Sequence, residues 1–167
     1  FVTIDMWEPY RDVALHQFKH CKVAVDPFHV VKNLSFAFTK IRISIMNQCI
    51  YNSDAYYLLK RWHILLDKKE IELDDEPTYN QHFHRKLTKR QLCEMIFSLS
   101  DKLLDAFNLK TAYQFFNDTA TIDNAGPWLD HLIHRFQVSG ILEYEEFTRL
   151  LIHWREEIIN SFERPHN

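Results

Sequence analysis

The apolar positions change period once along this chain. Two short apolar runs open it, Phe1-Val2-Thr3-Ile4 and Val23-Ala24-Val25, and each is followed by a carboxylate, Asp5 and Asp26. Short apolar, β-branched runs of this kind read as buried strands. A helix-length segment separates them, opened by Glu8-Pro9 and striped by Tyr10, Val13, Ala14 and Phe18. A strand–helix–strand unit pairs its strands in parallel, so both aspartates are expected at one carboxyl edge, where ligands of open α/β sheets sit.

After Asp26 the period is helical. Val31, Leu34, Phe38, Ile41, Ile45 and Cys49 predict a long helix to about residue 51, and Leu58, Leu59, Trp62 and Leu66 predict another over 55–66. Residues 67–86, with the breaker Asp74-Asp75-Glu76-Pro77, read as a loop. Further helices are predicted over 88–99 (Leu92, Met95, Ile96, Leu99), 101–117 (Leu104, Phe107, Thr111, Phe115), 127–138 (Leu129, Leu132, Ile133, Phe136) and 143–162 (Phe147, Leu150, Leu151, Trp154, Ile158). Asp26, Thr88 and Ser100 suit N-caps, Pro27 suits a first helical position, and Gly140 suits a helix C-terminus. The expected fold is mostly α with a small α/β part. Its βαβ piece and following helix occupy residues 1–52, and an all-helical domain occupies residues 53–167.

Composition agrees with this. Hydrophobic residues make up 46% and aromatics 14%, enough for a packed core, while two glycines are few for a turn-rich sheet protein. A net charge of −3 excludes a generic polyanion binder, so a DNA-contacting surface has to be local. Cys21, Cys49 and Cys93 are odd in number and widely spaced, which points to reduced thiols and no zinc knuckle. With no membrane-length apolar run and no signal peptide, a soluble cytoplasmic protein is expected. The chain opens inside a strand without an initiator methionine, so it is expected to be an excised piece of a longer protein.

Asp5 is the first candidate for chemistry. A carboxylate at the end of a parallel strand suits a hard divalent cation, although a helix cap or an exposed polar residue accounts for the same position. Asp26 and His29, in Asp26-Pro27-Phe28-His29, place a carboxylate at a helix cap and an imidazole on the same face. They are suited to bond each other, bind metal or orient a neighbour, or to serve as a cap and a polar anchor. His16/His20, His82/His84 and His131/His134 lack a third ligand at convincing spacing and read as solvated. The basic stretch Arg85-Lys86, Lys89-Arg90 reads as surface, and Lys32, Lys40 and Arg42 are better placed for DNA. No Gly-rich phosphate loop or Ser/His/Asp nucleophile pattern occurs.

Taken together, Val2-Thr-Ile-Asp5-Met-Trp-x-x-Tyr10 and Val23-Ala-Val-Asp26-Pro-Phe-His29-Val-Val-Lys32-x-Leu34, with Ile41-Arg42 in the next helix, resemble bacterial insertion-sequence transposases of the IS-L-three family, within the DDE, ribonuclease H-like superfamily. The resemblance continues to Trp154-Arg-Glu-Glu-Ile-Ile-Asn-Ser-Phe162, which in the family precedes the segment bearing a catalytic glutamate. It implies that Asp5 is the second aspartate of the DDE triad and a metal ligand, with Asp26 and His29 as the supporting D-x-x-H motif. Pro27 stands where an arginine is common. The resemblance also implies that the first aspartate and the glutamate lie outside this chain, and that the later helices are an all-α insertion in a ribonuclease H-like core.

The implied reaction is metal-dependent DNA strand cleavage and transfer. Two Mg²⁺ or Mn²⁺ ions, held by three carboxylates, would assist in-line displacement at a phosphate. Element-end and target DNA are the implied partners, with a homo-oligomer in the active complex, no membrane, and a location at the bacterial nucleoid. The present residues alone are expected to be inactive and to hold no ion tightly. Two other readings remain: a non-catalytic helical dimerisation or DNA-clamping module of a decayed or domesticated transposase, and a stand-alone metal-dependent phosphohydrolase using Asp5 and Asp26.

Overall fold

The computed structural model describes residues 1–18, 21–68 and 73–163. The order is β1 (Val2–Ile4), α1 (Glu8–Gln17), β2 (Val23–Val25), α2 (Pro27–Gln48), α3 (Asp54–Arg61), a 3₁₀ turn at His63–Asp67, β3 (Thr78–Asn80), β4 (Arg85–Leu87), α4 (Lys89–Phe97), α5 (Asp101–Thr119), α6 (Ile122–Val138), a 3₁₀ turn at Leu142–Tyr144, α7 (Glu145–His153) and α8 (Arg155–Asn160). The fold is mostly α with a small α/β part, as the patterning predicts. Among the described residues, no helix is long and apolar enough to cross a membrane.

The chain packs as two compact units. One comprises the described residues of Phe1–Phe38 and Asn108–Asn167, the other Thr39–Phe107. This division by packing falls inside α2 and α5. The last helix returns to the opening strands, so residues distant in sequence share the first core.

In the first unit β1 and β2 are parallel, with Val2 opposite Val23, Thr3 opposite Ala24 and Ile4 opposite Val25. The ladder uses Lys22 O and Asp26 N, so Val23 O, out of phase with them, faces the far edge. There Asn160 Nδ2 of α8 donates to Val23 O at 2.8 Å, and Lys22 Nζ lies 2.5 Å from Glu163 Oε2. Of the stripe expected on α1, only Ala14 is buried, whereas Tyr10, Val13 and Phe18 are exposed. Arg11 instead ties α1 to α8, its Nε 2.7 Å from the buried Glu157.

The helical core of this unit is aromatic. Tyr113 meets Phe116 and Phe147 at 5.5 Å, and Phe136 meets Tyr144 at 5.0 Å. The phase of α5 differs from the expected stripe: in this unit it buries Leu109, Lys110, Tyr113 and Phe116 and exposes Phe115, and its residues in the second unit bury Leu103 and Ala106 and expose Leu104. The doublets Leu103-Leu104 and Phe115-Phe116 support two stripes one residue apart, and contacts with other helices select between them. Two further differences follow from local chemistry. The helix expected from Pro127 begins at Ile122, where Asn124 Oδ1 accepts the Thr121 N–H at 2.8 Å. The segment 143–162 divides at Trp154, whose φ of −99° and ψ of 17° interrupt the helix.

In the second unit α3 packs on α4, and Thr88 caps α4 in a capping box with Gln91. The predicted loop over 67–86 contains an antiparallel hairpin, with Tyr79 opposite Lys86; its residues 69–72 lie outside the described residues. Strands of three residues are too short for alternation to reveal. The turn is organised by Asn80, which is buried and whose Oδ1 accepts the N–H groups of His82 and Phe83 at 3.0 and 3.2 Å.

Candidate metal centre

The register of the parallel pair decides this site. Because Ile4 lies opposite Val25, the next residues of both strands, Asp5 and Asp26, emerge together at the carboxyl edge. The Trp7 N–H donates to Asp5 O, turning the chain away from the strand directly after Asp5. Asp26 accepts the Phe28 N–H on Oδ1 at 2.9 Å, which makes it the cap of α2. Pro27 begins that helix without needing a partner for an N–H. The first turn then carries His29, whose ring is edge-on to Phe28 at 5.5 Å between centroids.

His29 Nε2 lies 3.0 Å from Asp5 Oδ1. One ligand atom from each of Asp5, Asp26 and His29 falls within a 4.8 Å group. The side chain of Asp5 is 66% exposed, so its carboxylate is open to solvent and ligands, whereas His29 is 29% exposed. Two carboxylates and an imidazole form a donor set suited to a divalent cation, with the oxygens preferred by Mg²⁺ and the imidazole acceptable to Mn²⁺. With one Asp26 oxygen capping α2 and His29 Nε2 turned to Asp5, the oxygens of Asp5 remain the most available donors. The open choice for Asp26 and His29 is thus narrowed: Asp26 is the cap, and the imidazole meets Asp5 across the strand ends.

The basic candidates divide. Lys32 is exposed on α2, three residues beyond His29, in the same compact unit as the site. Lys40 is exposed and belongs to the other unit. Arg42, also in the other unit, is half-buried and donates to Leu59 O at 2.8 Å. Burial pushes its guanidinium below its usual value, with Asp67 acting the other way. Its visible role joins α2 to α3, a contact that spacing in sequence could not show. Lys89 and Arg90 are paired with Asp74 and Asp75 at 3.4 and 3.0 Å. Of the histidine pairs, His131 and His134 are exposed, as is His16, and His20 lies outside the described residues. His82 instead meets Asp54, its Nε2 2.8 Å from Oδ1.

The family model of the IS-L-three DDE transposases, described as a transposase, matches residues 1–167, the full span of the sequence. No curated protein and no solved structure matches the chain.

Proposed function

The chain belongs to the IS-L-three family of DDE transposases, and from that premise we propose that Asp5 is a catalytic carboxylate in a metal-dependent site for DNA strand cleavage and transfer. Transposases act on DNA, and DDE transposases generally use divalent metal ions. The observation that carries the residue assignment is the 3.0 Å approach of His29 Nε2 to Asp5 Oδ1 at the carboxyl edge of β1 and β2.

Each side chain has a distinct part. Asp5 supplies carboxylate oxygens to a divalent cation, Mg²⁺ or Mn²⁺. Asp26 fixes the start of α2 through its cap and contributes a carboxylate to the same group of donors. His29, held by the first turn of α2, positions the Asp5 carboxylate. A divalent cation bound there would neutralise charge at the scissile phosphate and favour ionisation of the attacking water or 3′-hydroxyl. Lys32 and Lys40 offer phosphate contacts on α2, while Arg42 serves the packing of α2 on α3. The active complex is a homo-oligomer, with residues 1–52 supplying part of a ribonuclease H-like core and the later helices an insertion.

These residues alone do not catalyse in this reading, because Asp5 and Asp26 are too few carboxylates to hold two ions. The grouping of Asp5, Asp26 and His29 also favours a second reading, a self-sufficient metal-dependent phosphohydrolase. The two separate in one experiment, Mn²⁺ titration and cleavage of element-end DNA by the 167-residue chain and by the full-length transposase. Cleavage by the full-length protein alone, with millimolar or weaker Mn²⁺ binding by the short chain, supports the shared site. Tight binding and cleavage by the short chain, both lost in Asp5→Ala, would establish the hydrolase instead.

A further inference from the structure

The second unit contains a groove that the strand-transfer site does not use. Along α3 and the β3–β4 hairpin run two concavities of about 520 and 380 Å³, both lined by Tyr57, Arg61 and His82. Each exceeds the ~300 Å³ lower bound typical of small-ligand sites. Trp62, Tyr79 and Asn80 complete the first, and Tyr56 and Lys60 extend the second. No Asp or Glu lines either one among the described residues.

The walls are aromatic and already ordered. His82 stacks on Tyr57 with centroids 3.9 Å apart and planes 5° from parallel. Trp62 Nε1 donates to the Tyr57 hydroxyl at 3.2 Å, and that hydroxyl lies 3.4 Å from Asn80 Oδ1. Lys60 Nζ stands 5.2 Å from the Tyr56 ring centroid and 3.3 Å from its hydroxyl. On the hairpin, Tyr79 is 61% exposed and lies directly across from Lys86. Asp54 bonds His82 at 2.8 Å from outside the lining. Lys89 and Arg90 on α4 are already matched by Asp74 and Asp75.

The exposed Lys60 and Arg61 beside the half-buried Tyr56 and the exposed Tyr79, with no carboxylate in the lining, fit a ligand with negative charge and flat apolar faces. Unpaired nucleotides have both, and stacking on aromatic side chains is tolerant of sequence. A duplex keeps its base faces inside the stack and would reach only the cations. We propose that the groove between α3 and the β3–β4 hairpin binds a single-stranded nucleic acid segment, with Tyr79 and Tyr56 as base platforms, the Tyr57–His82 stack as a fixed wall, and Lys60 and Arg61 as phosphate contacts. The transposase reading bears only on the expectation that the strand is DNA.

The test uses full-length protein and fluorescein-labelled dT15, with rU15 and a duplex lacking element ends as competitors, followed by anisotropy. The Lys60→Ala/Arg61→Ala double variant is expected to weaken dT15 binding at least tenfold. It should also lower the slope of log K against log salt by about 1.4, at ~0.7 per lost phosphate contact. Tyr79→Ala should weaken binding without changing that slope. Photo-crosslinking of 5-iodouracil-substituted dT15 should label Tyr56 or Tyr79. Preference for dT15 over rU15 identifies DNA as the strand, and equal binding supports an unpaired strand of either sugar. Equal competition by duplex, unchanged affinity in a folded double variant, or crosslinks confined to other regions would overturn the proposal. Anisotropy with dT15 reads the groove and loss of strand transfer in Asp5→Ala reads the strand-transfer site, so failure of one is distinguishable from failure of the other.

Discussion

At the scale of single residues, Asp5 and His29 meet across a strand end. Their 3.0 Å approach supports the positioning role proposed for the imidazole, on which His29→Ala in the full-length transposase should lower kcat for strand cleavage about 10- to 100-fold. KM for end DNA should remain nearly unchanged, and His29→Asn should recover part of the rate. Single-turnover cleavage measures this, and a full loss equal to that of Asp5→Ala would make His29 a ligand instead. A different pair governs stability: Arg155 binds Asp130 at 2.6 and 2.8 Å and holds its carboxyl below the usual carboxylate range. A depressed folded value contributes stability above the unfolded value near ~3.9 and loses it as pH falls through the folded one. After allowance for solvent screening of this part-exposed pair, Asp130→Asn should cost about 0.5 kcal/mol at neutral pH. Urea unfolding should show that difference fading below about pH 4. Asp5, Asp26 and His29 were legible in the sequence because strand ends and D-x-x-H spacing are local. The Arg42–Leu59 contact was not, because it depends on how two helices meet.

At the scale of elements, periodicity located helices better than it set their faces. The stripe Leu129/Leu132/Ile133/Phe136 is buried as its spacing predicts, and of Phe147/Leu150/Leu151/Trp154/Ile158 all but the half-buried Leu150 are buried. The α1 stripe is not, and the α5 stripe is displaced by one residue, because doublets of apolar side chains leave the choice of face to the neighbours. Caps were more legible, since a cap is settled within four residues: Asp26 accepts from Phe28 N, and Thr88 bonds Gln91 N at 3.1 Å. Gly140 has φ of +67°, and a Cβ there would meet nothing within 4 Å. Backbone strain alone should therefore make Gly140→Ala destabilising by about 1 kcal/mol, measurable by urea unfolding. An unchanged midpoint would show that the turn relaxes without cost.

At the scale of the whole molecule, the parallel strands and their register were legible, and the composition of the packed units was not. Asn160 and Glu157 of α8 join the opening strands and α1 from the far end of the chain, through Val23 O and Arg11. No local pattern announces such pairings. The segment that resembles the approach to a family glutamate is therefore the segment that packs on β2, which supports a site assembled from distant parts of the chain. The central claim is that Asp5 belongs to that assembled site. The most direct measurement is Mg²⁺- or Mn²⁺-dependent cleavage and strand transfer on element-end DNA by full-length Asp5→Ala, with end binding followed by mobility shift. The account predicts at least a thousandfold loss of both reactions with end binding nearly intact. Strand transfer at the parental rate would contradict it.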